Sequence, residues 1–411
     1  MTRLLLVEPE ATGHRMVLYV RLIAEEALRR GWKVTLMTTA SALAHVATQS
    51  VISALGSDLD IAKMPEIARE ARYGKLQLLF GQRAYLRAFK QGYREYRKTG
   101  AADFVYVPYL NYIDKIVGLY GSPFGTTPFG GMILAAKFHH QACGIAGPGG
   151  KMDVVNRVLF QRMLRLRALV LATTIDEPLP KYVTQNMPAL APKIRYVPDV
   201  SFVSKPAQRQ RARHALGLGK DHFVIASYGS LSPRKGLARL LSMFSAADLP
   251  RHFRLVLAGV QDGEAVQLIQ SFMSEAGACR SQVVLMNRFC SALEEGLVFA
   301  AADTMWLCYE NFSGMSGVLI QSAQVGVPVI TSNYGLIDHN RAKNSLGLRW
   351  DDFLLAASPV PHFDWGKLES IVHFLKDSPQ LADFALQHSP KNFGRNVMDT
   401  IDRVHPMERR A

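Results

Sequence analysis

Cysteine is scarce, at four in 411 residues. Cys143, Cys279, Cys290 and Cys308 lie far apart, with no C-x-x-C pair and no clustered histidines to complete a metal site. That spacing argues against a disulfide framework or a Cys/His metal centre and fits reduced thiols. Long apolar runs are missing too: none approaches the roughly 18 to 20 residues of a membrane-spanning helix. The opening MTRLLLVEPEATGH turns acidic and polar too early for a signal peptide, so the expected location is cytoplasmic. Acidic residues are in short supply, 34 Asp and Glu against 48 Lys and Arg, leaving a formal charge of +14. The surplus implies an anionic partner: nucleic acid, an acidic membrane surface or a phosphorylated substrate. No helix-turn-helix, zinc-finger or RNA-binding signature accompanies it, so nucleic acid is not expected. Repeats of 20 to 50 residues and low-complexity tracts are absent as well.

What is present is α/β rhythm. The length exceeds what one hydrophobic core organises and predicts two domains. RLLLV enters as a buried strand over residues 4–7, a glycine-containing loop follows at 11–15, then an amphipathic helix over 16–30 and a second strand over 33–37. Strand, helix, strand in that order reads as a right-handed βαβ unit of a parallel sheet. Further strands are predicted at 104–108, 132–138 and 169–172. A second series starts with FVIASYGS at Phe223 and runs through RLVLAGV, QVVLMNR, TMWLCYE and VPVITSN. Two Rossmann-like domains follow, with a seam in the proline-punctuated stretch around residues 188–206. The predicted boundaries are 1–190, 191–378, and a C-terminal helical segment 379–411 that packs back on the first domain.

Two loops of the second series carry the chemistry. In GSLSPRKG, Gly229 and Gly236 bracket Arg234 and Lys235 between a strand end and a helix. Ligands of open α/β sheets bind beyond the carboxyl ends of strands, and a helix N-terminus with nearby cations suits a diphosphate. On position alone Lys235 reads equally as a solvated loop cation. In SGMSGVLIQSAQVGVPVI, Ser313, Gly314, Met315, Ser316 and Gly317 precede a helix, and the smallness of four of them lets backbone N–H groups approach an anion. Standing alone, that loop would pass for an ordinary connection needing glycine for turn geometry.

Together these loops resemble retaining glycosyltransferases of the GT-B fold, family 4, also called glycosyltransferase group 1. GSLSPRKG is similar to their G-R-L-x-x-x-K-G loop, and SGMSGVLIQSAQVGVPV to their E-G-F-G-x-x-x-x-E-A-x-x-x-G-x-P-V segment. YVPDV at 196–200 is similar to the interdomain stretch of the family. The resemblance implies an α/β GT-B fold, two Rossmann-like domains facing each other across a cleft. It implies a nucleotide-diphosphate sugar as substrate, with no cofactor and no metal, and transfer with retained anomeric configuration. Lys235 takes the place of the lysine that contacts the diphosphate. Ser230 stands where the family has arginine, and Arg234 is the nearest substitute cation. The paired glutamates fall on Ser313 and Gln321. Gln321 still offers a carbonyl oxygen to ribose hydroxyls, whereas Ser313 cannot replace the charge that reads the donor sugar. Glu310 is a stand-in for it or an exposed loop carboxylate.

The resemblance also places a histidine after a first-domain strand, where FHHQ offers His139 and His140; His139 is the one taken as catalytic alongside Lys235. Gly13 and His14, in the first glycine loop, would overlook the acceptor side of the cleft. FGTTPFGGM, residues 124–132, reads as a turn-rich connection or an acceptor-site lining. Two basic amphipathic stretches, 82–98 and 156–170, suit an anionic membrane face or a lipid-linked or glycan acceptor, and equally a solvated helix face. The expected function is therefore a hexosyltransferase-like enzyme of polysaccharide or cell-envelope glycan synthesis, peripheral at the inner face of the membrane. Its alternatives are a catalytically degenerate, nucleotide-binding or regulatory partner of the same fold and, ranked last, a nucleotide-sugar epimerase.

Overall fold

The structure, a computed structural model, describes residues 2–67, 77–147, 149–246, 248–275, 277–356 and 362–405. It divides into two units: residues 1–143, 149–200 and 390–411 form the first, residues 144–148 and 201–389 the second.

The first unit is built on seven parallel strands, β1 (Arg3–Val7), β2 (Lys33–Thr39), β3 (Leu59–Met64), β4 (Phe104–Val107), β5 (Phe129–Ile133), β6 (Leu169–Thr174) and β7 (Ile194–Tyr196). They lie in the order β3-β2-β1-β4-β5-β6-β7. Leu5 is registered with Thr35 on one side and Val105 on the other. Leu4 to Val7 and all of β4 are buried, because helices cover both faces of a doubly wound sheet and each strand must be apolar throughout. The chain winds outward from β1 to β3, then returns to lay β4 on the other side of β1. The crevice at the carboxyl ends of β1 and β4 is thus this sheet's topological switch point.

The second unit repeats the plan with β8 (Phe223–Tyr228), β9 (Phe253–Ala258), β10 (Val283–Met286), β11 (Thr304–Leu307), β12 (Val329–Thr331) and β13 (Gly347–Arg349), in the order β10-β9-β8-β11-β12-β13. Its switch point lies between β8 and β11, where Ile225 is registered with Thr304. Leu255, Leu257, Trp306, Ile330 and Phe244 are among the residues filling its core.

Several elements differ from the sequence expectation. β3 was not foreseen; its alternation of exposed Asp60 and Ile61 with half-buried Ala62 carries too weak an apolar pattern. The strand placed at 132–138 runs instead over Phe129–Ile133. FGTTPFGGM is therefore half strand, and Phe124 belongs to the core. Gly130 and Gly131 serve close packing: a Cβ on Gly131 would fall 2.6 Å from the Val107 carbonyl oxygen. The first helix opens as a π-helical segment, Arg15–Val20, before Arg21–Arg29 turns α-helical.

The domain edges shift as well. β7 joins the first sheet, so the first unit reaches Val200 rather than residue 190. The C-terminal segment is shared: Pro379–Gln387 packs on Gly317–Gln324 in the second unit, while Pro390–Val404 packs on Arg21–Arg29 in the first. The latter helix buries Phe393, Val397, Met398 and Ile401 along one stripe, each worth roughly 1.5–3 kcal/mol of transfer free energy. Phe393 stacks on Tyr19 at 4.9 Å, and Arg30 clamps Asp399 at 2.7 Å. Residues 406–411 of that segment lie outside the described residues.

Cys143, Cys290 and Cys308 are free thiols, and the Cys279 side chain lies outside the described residues. Among the described residues no helix is long and apolar enough to cross a membrane.

Candidate functional site

In the second unit the sequence-predicted residues gather at the β8/β11 switch point. β8 ends at Tyr228, the chain turns at Gly229 with φ +100, and a short 3-10 turn, Pro233–Lys235, brings Lys235 back over the strand end. The Lys235 side chain folds inward. Its ammonium donates to the Tyr228 carbonyl and, at 3.0 Å, to the Tyr309 hydroxyl, 4.9 Å from the Tyr309 ring centroid. Glycine is required at 229 because of the positive φ, and because a Cβ there would sit 3.2 Å from Nζ.

Lys235 is 6% exposed, yet among the described residues no carboxylate pairs with it. Buried cations ordinarily carry a counter-ion. Arg213 in the same unit does so, 2.6 Å from Asp303. A buried ammonium with only neutral partners, at the place where α/β sheets take their ligands, is a candidate anion site.

The second loop lies beside it, beyond β11. Ser313, Met315 and Ser316 are buried and Gly314 and Gly317 half-buried. The helix Gly317–Gln324 starts without a side-chain cap from Ser316, which leaves the N–H groups of its first turn without a side-chain acceptor there. The Ser313 hydroxyl is buried with no hydrogen-bond partner among the described residues. Gln321 is 8% exposed, and its amide nitrogen is committed to the Phe202 carbonyl and, at 2.8 Å, to Glu295 Oε1. Arg234 and Ser230 are exposed, and the Arg234 guanidinium stacks 4.7 Å over Phe312. Glu310 is 45% exposed at its side chain and 3.9 Å from Arg239, a loop carboxylate at a surface ion pair.

Sequence reasoning missed two participants. Tyr309, just past β11, orients Lys235, and Glu295 reaches Gln321 from the helix Ala292–Ala301. Burial and the Glu295 charge raise the Tyr228 hydroxyl well above its ordinary range. Neither residue belongs to a motif; what betrays them is position on a neighbouring element.

In the first unit the glycine loop after β1 holds Gly13, with φ +79, and exposed His14, whose ring meets Tyr19 edge-on at 5.6 Å. The chemistry of that loop lies in residues the sequence did not single out. Glu8 is fully buried, accepts a 2.6 Å hydrogen bond from the Tyr112 hydroxyl and lies 3.5 Å from the Arg15 guanidinium. Burial pushes its carboxyl up to about 7, against the opposing pull of Arg15. Arg15 in turn reaches Glu10 at 3.1 Å and lies 4.6 Å over the Tyr109 ring. A cavity of about 270 Å³ opens beside the loop, lined by Glu10, Thr12, Thr39, Ser41, His45 and Glu66.

The His139 side chain is wholly buried, with Nε2 3.1 Å from Asp176 Oδ2 but not aligned for a hydrogen bond. His140 Nε2 approaches the same oxygen at 2.8 Å. Burial works to raise the Asp176 carboxyl, but the two imidazoles outweigh it and hold it below the usual range. The sequence showed no clustered histidines with metal-type spacing; the fold brings Asp176 to this pair from 36 residues away.

Two doubly wound parallel sheets are the architecture of GT-B glycosyltransferases. Sucrose-phosphate synthase from Thermosynechococcus elongatus aligns over 98% of this chain and 99% of its own, with a TM-score of 0.68 and 12% identity. HepE of Anabaena in complex with UDP aligns over 98% and 100%, with a TM-score of 0.62 and 13% identity. WaaG, a glycosyltransferase involved in lipopolysaccharide biosynthesis, aligns over 99% and 100%, with a TM-score of 0.55 and 12% identity. At such identities these likenesses establish the fold. The family described as glycosyl transferases group 1 matches residues 208–347, the stretch that holds the Lys235 site. A search among curated proteins gave no match.

Proposed function

We propose that this protein is a glycosyltransferase that moves a sugar from a nucleotide-diphosphate sugar to an acceptor hydroxyl with retention of configuration. The observation that carries the reading is the buried Lys235 ammonium, held by neutral partners at the β8/β11 crevice. As the bond between the anomeric carbon and the diphosphate oxygen breaks, negative charge gathers on the leaving nucleoside diphosphate, and stabilising it is the main catalytic demand. Lys235 supplies a preorganised cation, and the first N–H groups of Gly317–Gln324 add their dipole. The reading assigns the counter-charge to these groups rather than to a metal ion. Retention follows if the acceptor oxygen attacks the face the diphosphate leaves, with a departing phosphate oxygen taking the acceptor proton. Gln321, steadied by Glu295, presents its amide oxygen to ribose.

The UDP complex of HepE makes uridine diphosphate the first candidate to test. A saturating nucleoside diphosphate, at ~100 times its dissociation constant, raises stability by roughly 2.7 kcal/mol. The expected result is a thermal shift with one of UDP, GDP, dTDP or ADP that vanishes in Lys235→Ala. No shift with any of them would sink the donor-site reading.

For the acceptor, both basic stretches of the first unit contribute. The helices Gln77–Tyr96 and Met152–Arg165 present exposed Arg83, Arg87, Lys90, Arg157, Arg162 and Arg165, although residues 166–170 of the second stretch leave the helix and enter β6. Met152, Val154, Val155 and Val158 are exposed on the same short helix as three of those cations, and Arg83 lies 5.3 Å over exposed Tyr120. Exposed apolar groups rimmed by cations suit an anionic lipid surface. This supports a lipid-linked acceptor, cell-envelope glycan synthesis and peripheral membrane contact. Co-sedimentation with acidic liposomes at low salt is the check, and absence of binding removes the lipid part. The uncharged, buried Ser313 favours a second reading, a nucleotide-binding partner without turnover. A nucleotide shift with no transfer to any acceptor would select it.

A further inference from the structure

We propose that His139, His140 and Asp176 form a binding site for a zinc-class divalent transition-metal ion, independent of the transfer reading. Two elements assemble it: the turn after β5 supplies both imidazoles and the end of β6 supplies the carboxylate. The three residues are 0%, 3% and 2% exposed, and their ligand atoms lie within 4.8 Å of one another.

The hydrogen-bond inventory is what distinguishes the cluster from a plain Asp–His pair. One aspartate oxygen takes His140 Nε2 at 2.8 Å, but His139 Nε2, 3.1 Å from that oxygen, is misaligned. Among the described residues His139 Nε2 and Nδ1, His140 Nδ1 and Asp176 Oδ1 have no hydrogen-bond partner. Several unpartnered polar atoms in one buried cluster carry a desolvation cost that ordinary packing does not leave in place. A cation between the three side chains takes up the His139 Nε2 and carboxylate lone pairs at once.

The spacing fits. Zinc bonds of about 2.0–2.1 Å at tetrahedral angles place neighbouring ligand atoms about 3.3 Å apart, so the two imidazole–carboxylate separations of 2.8 and 3.1 Å need open by only a few tenths of an ångström, and the two imidazoles, within 4.8 Å of each other, adjust by rotating about their side-chain bonds. Two imidazoles with one carboxylate is a borderline donor set, suited to zinc rather than to magnesium or calcium. Around it, Asp176 N–H bonds to Thr174 Oγ1, which itself donates to the Ile133 carbonyl. The Cys143 N–H closes the turn on the carbonyls of His139 and His140. The ion would pin the turn after β5 to the end of β6.

The test uses untagged full-length protein, loaded with zinc chloride and then dialysed exhaustively. Elemental analysis is expected to find about one zinc per chain, and cobalt in its place to give the visible absorption of a tetrahedral site. Stripping with a chelator lowers the melting temperature and zinc restores it. His140→Gln and Asp176→Asn each weaken retention at least roughly tenfold. A wild-type protein that retains less than a tenth of an equivalent and shows no zinc-dependent melting shift overturns the proposal, whatever the variants do. Stoichiometric zinc undiminished in both variants overturns it equally.

Discussion

The carboxyl ends of β8/β11 and of β1/β4 are equivalent places in two similarly wound sheets, and they are furnished in opposite ways. At β8/β11 a buried cation meets only neutral groups, Tyr228 O and the Tyr309 hydroxyl. At β1/β4 buried Glu8 and half-buried Glu10 surround one arginine, with tyrosines packed against it. The same topology thus carries a positive surplus in one unit and, once Glu8 ionises above about pH 7, a negative one in the other. A crevice with an uncompensated ammonium is prepared for phosphate, whereas one with carboxylates and phenols accepts hydrogen bonds from hydroxyls and repels phosphate. The topology sets where each site lies, and a handful of side chains sets what it binds.

The largest effect that probes the contrast is the titration of Glu8. Its carboxyl is raised from 4.5 to about 7 in the folded protein. Between those values the native state holds a proton that the unfolded chain has released, so stability falls as pH rises through the window and levels off above it. Glu8→Gln removes that slope. Relative to wild type, the variant is expected to gain roughly 2–3 kcal/mol of unfolding free energy between pH 5 and pH 8, read by urea denaturation at both pH values. Parallel curves would mean that Arg15 fully offsets the burial and that the β1/β4 crevice is an ordinary ion pair.

Removing the opposite charge comes next. Lys235→Ala is expected to lower kcat/KM by at least ~2 kcal/mol, about 30-fold, through lost stabilisation of the leaving diphosphate. Stability should change much less, because a buried ammonium without a counter-ion is costly to keep. Steady-state kinetics with the nucleotide sugar selected by the thermal shift gives the comparison. An unchanged rate would remove Lys235 from the mechanism.

How much of this was readable beforehand follows from where the physics is local. β1, β2, β4 and the second series are continuous apolar runs bounded by turn residues, so they declare themselves; β3 is half exposed and does not. GSLSPRKG is legible because tight turn, cation and helix start are adjacent in sequence. Tyr309 is not, because its contact with Lys235 spans 74 residues and exists only once β11 lies beside β8. Glu8 shows the same limit. LVEPE reads as the end of a strand, and only burial with Tyr112, 104 residues away, makes its carboxyl unusual. His139 was chosen for its place after a strand, and its neighbour Asp176 is out of reach of that reasoning because only long-range packing brings the two together.

The smallest effect decides whether the β8/β11 cation surplus is one charge or two. Arg234 is exposed and stacked on Phe312, an arrangement worth about 0.5–1 kcal/mol at a surface, so Arg234→Ala should barely alter folding stability. Its effect on donor affinity separates two roles. A guanidinium that replaces the cation missing at Ser230 would weaken nucleotide-diphosphate binding about three- to fivefold at low salt, and the difference would shrink as the ionic strength rises toward 1 M, where charges are screened within about 3 Å. A guanidinium that merely covers Phe312 would leave affinity unchanged at every salt concentration. Titration calorimetry of wild type and variant at two ionic strengths distinguishes the cases. In the second, buried Lys235 alone carries the charge contrast between the two crevices.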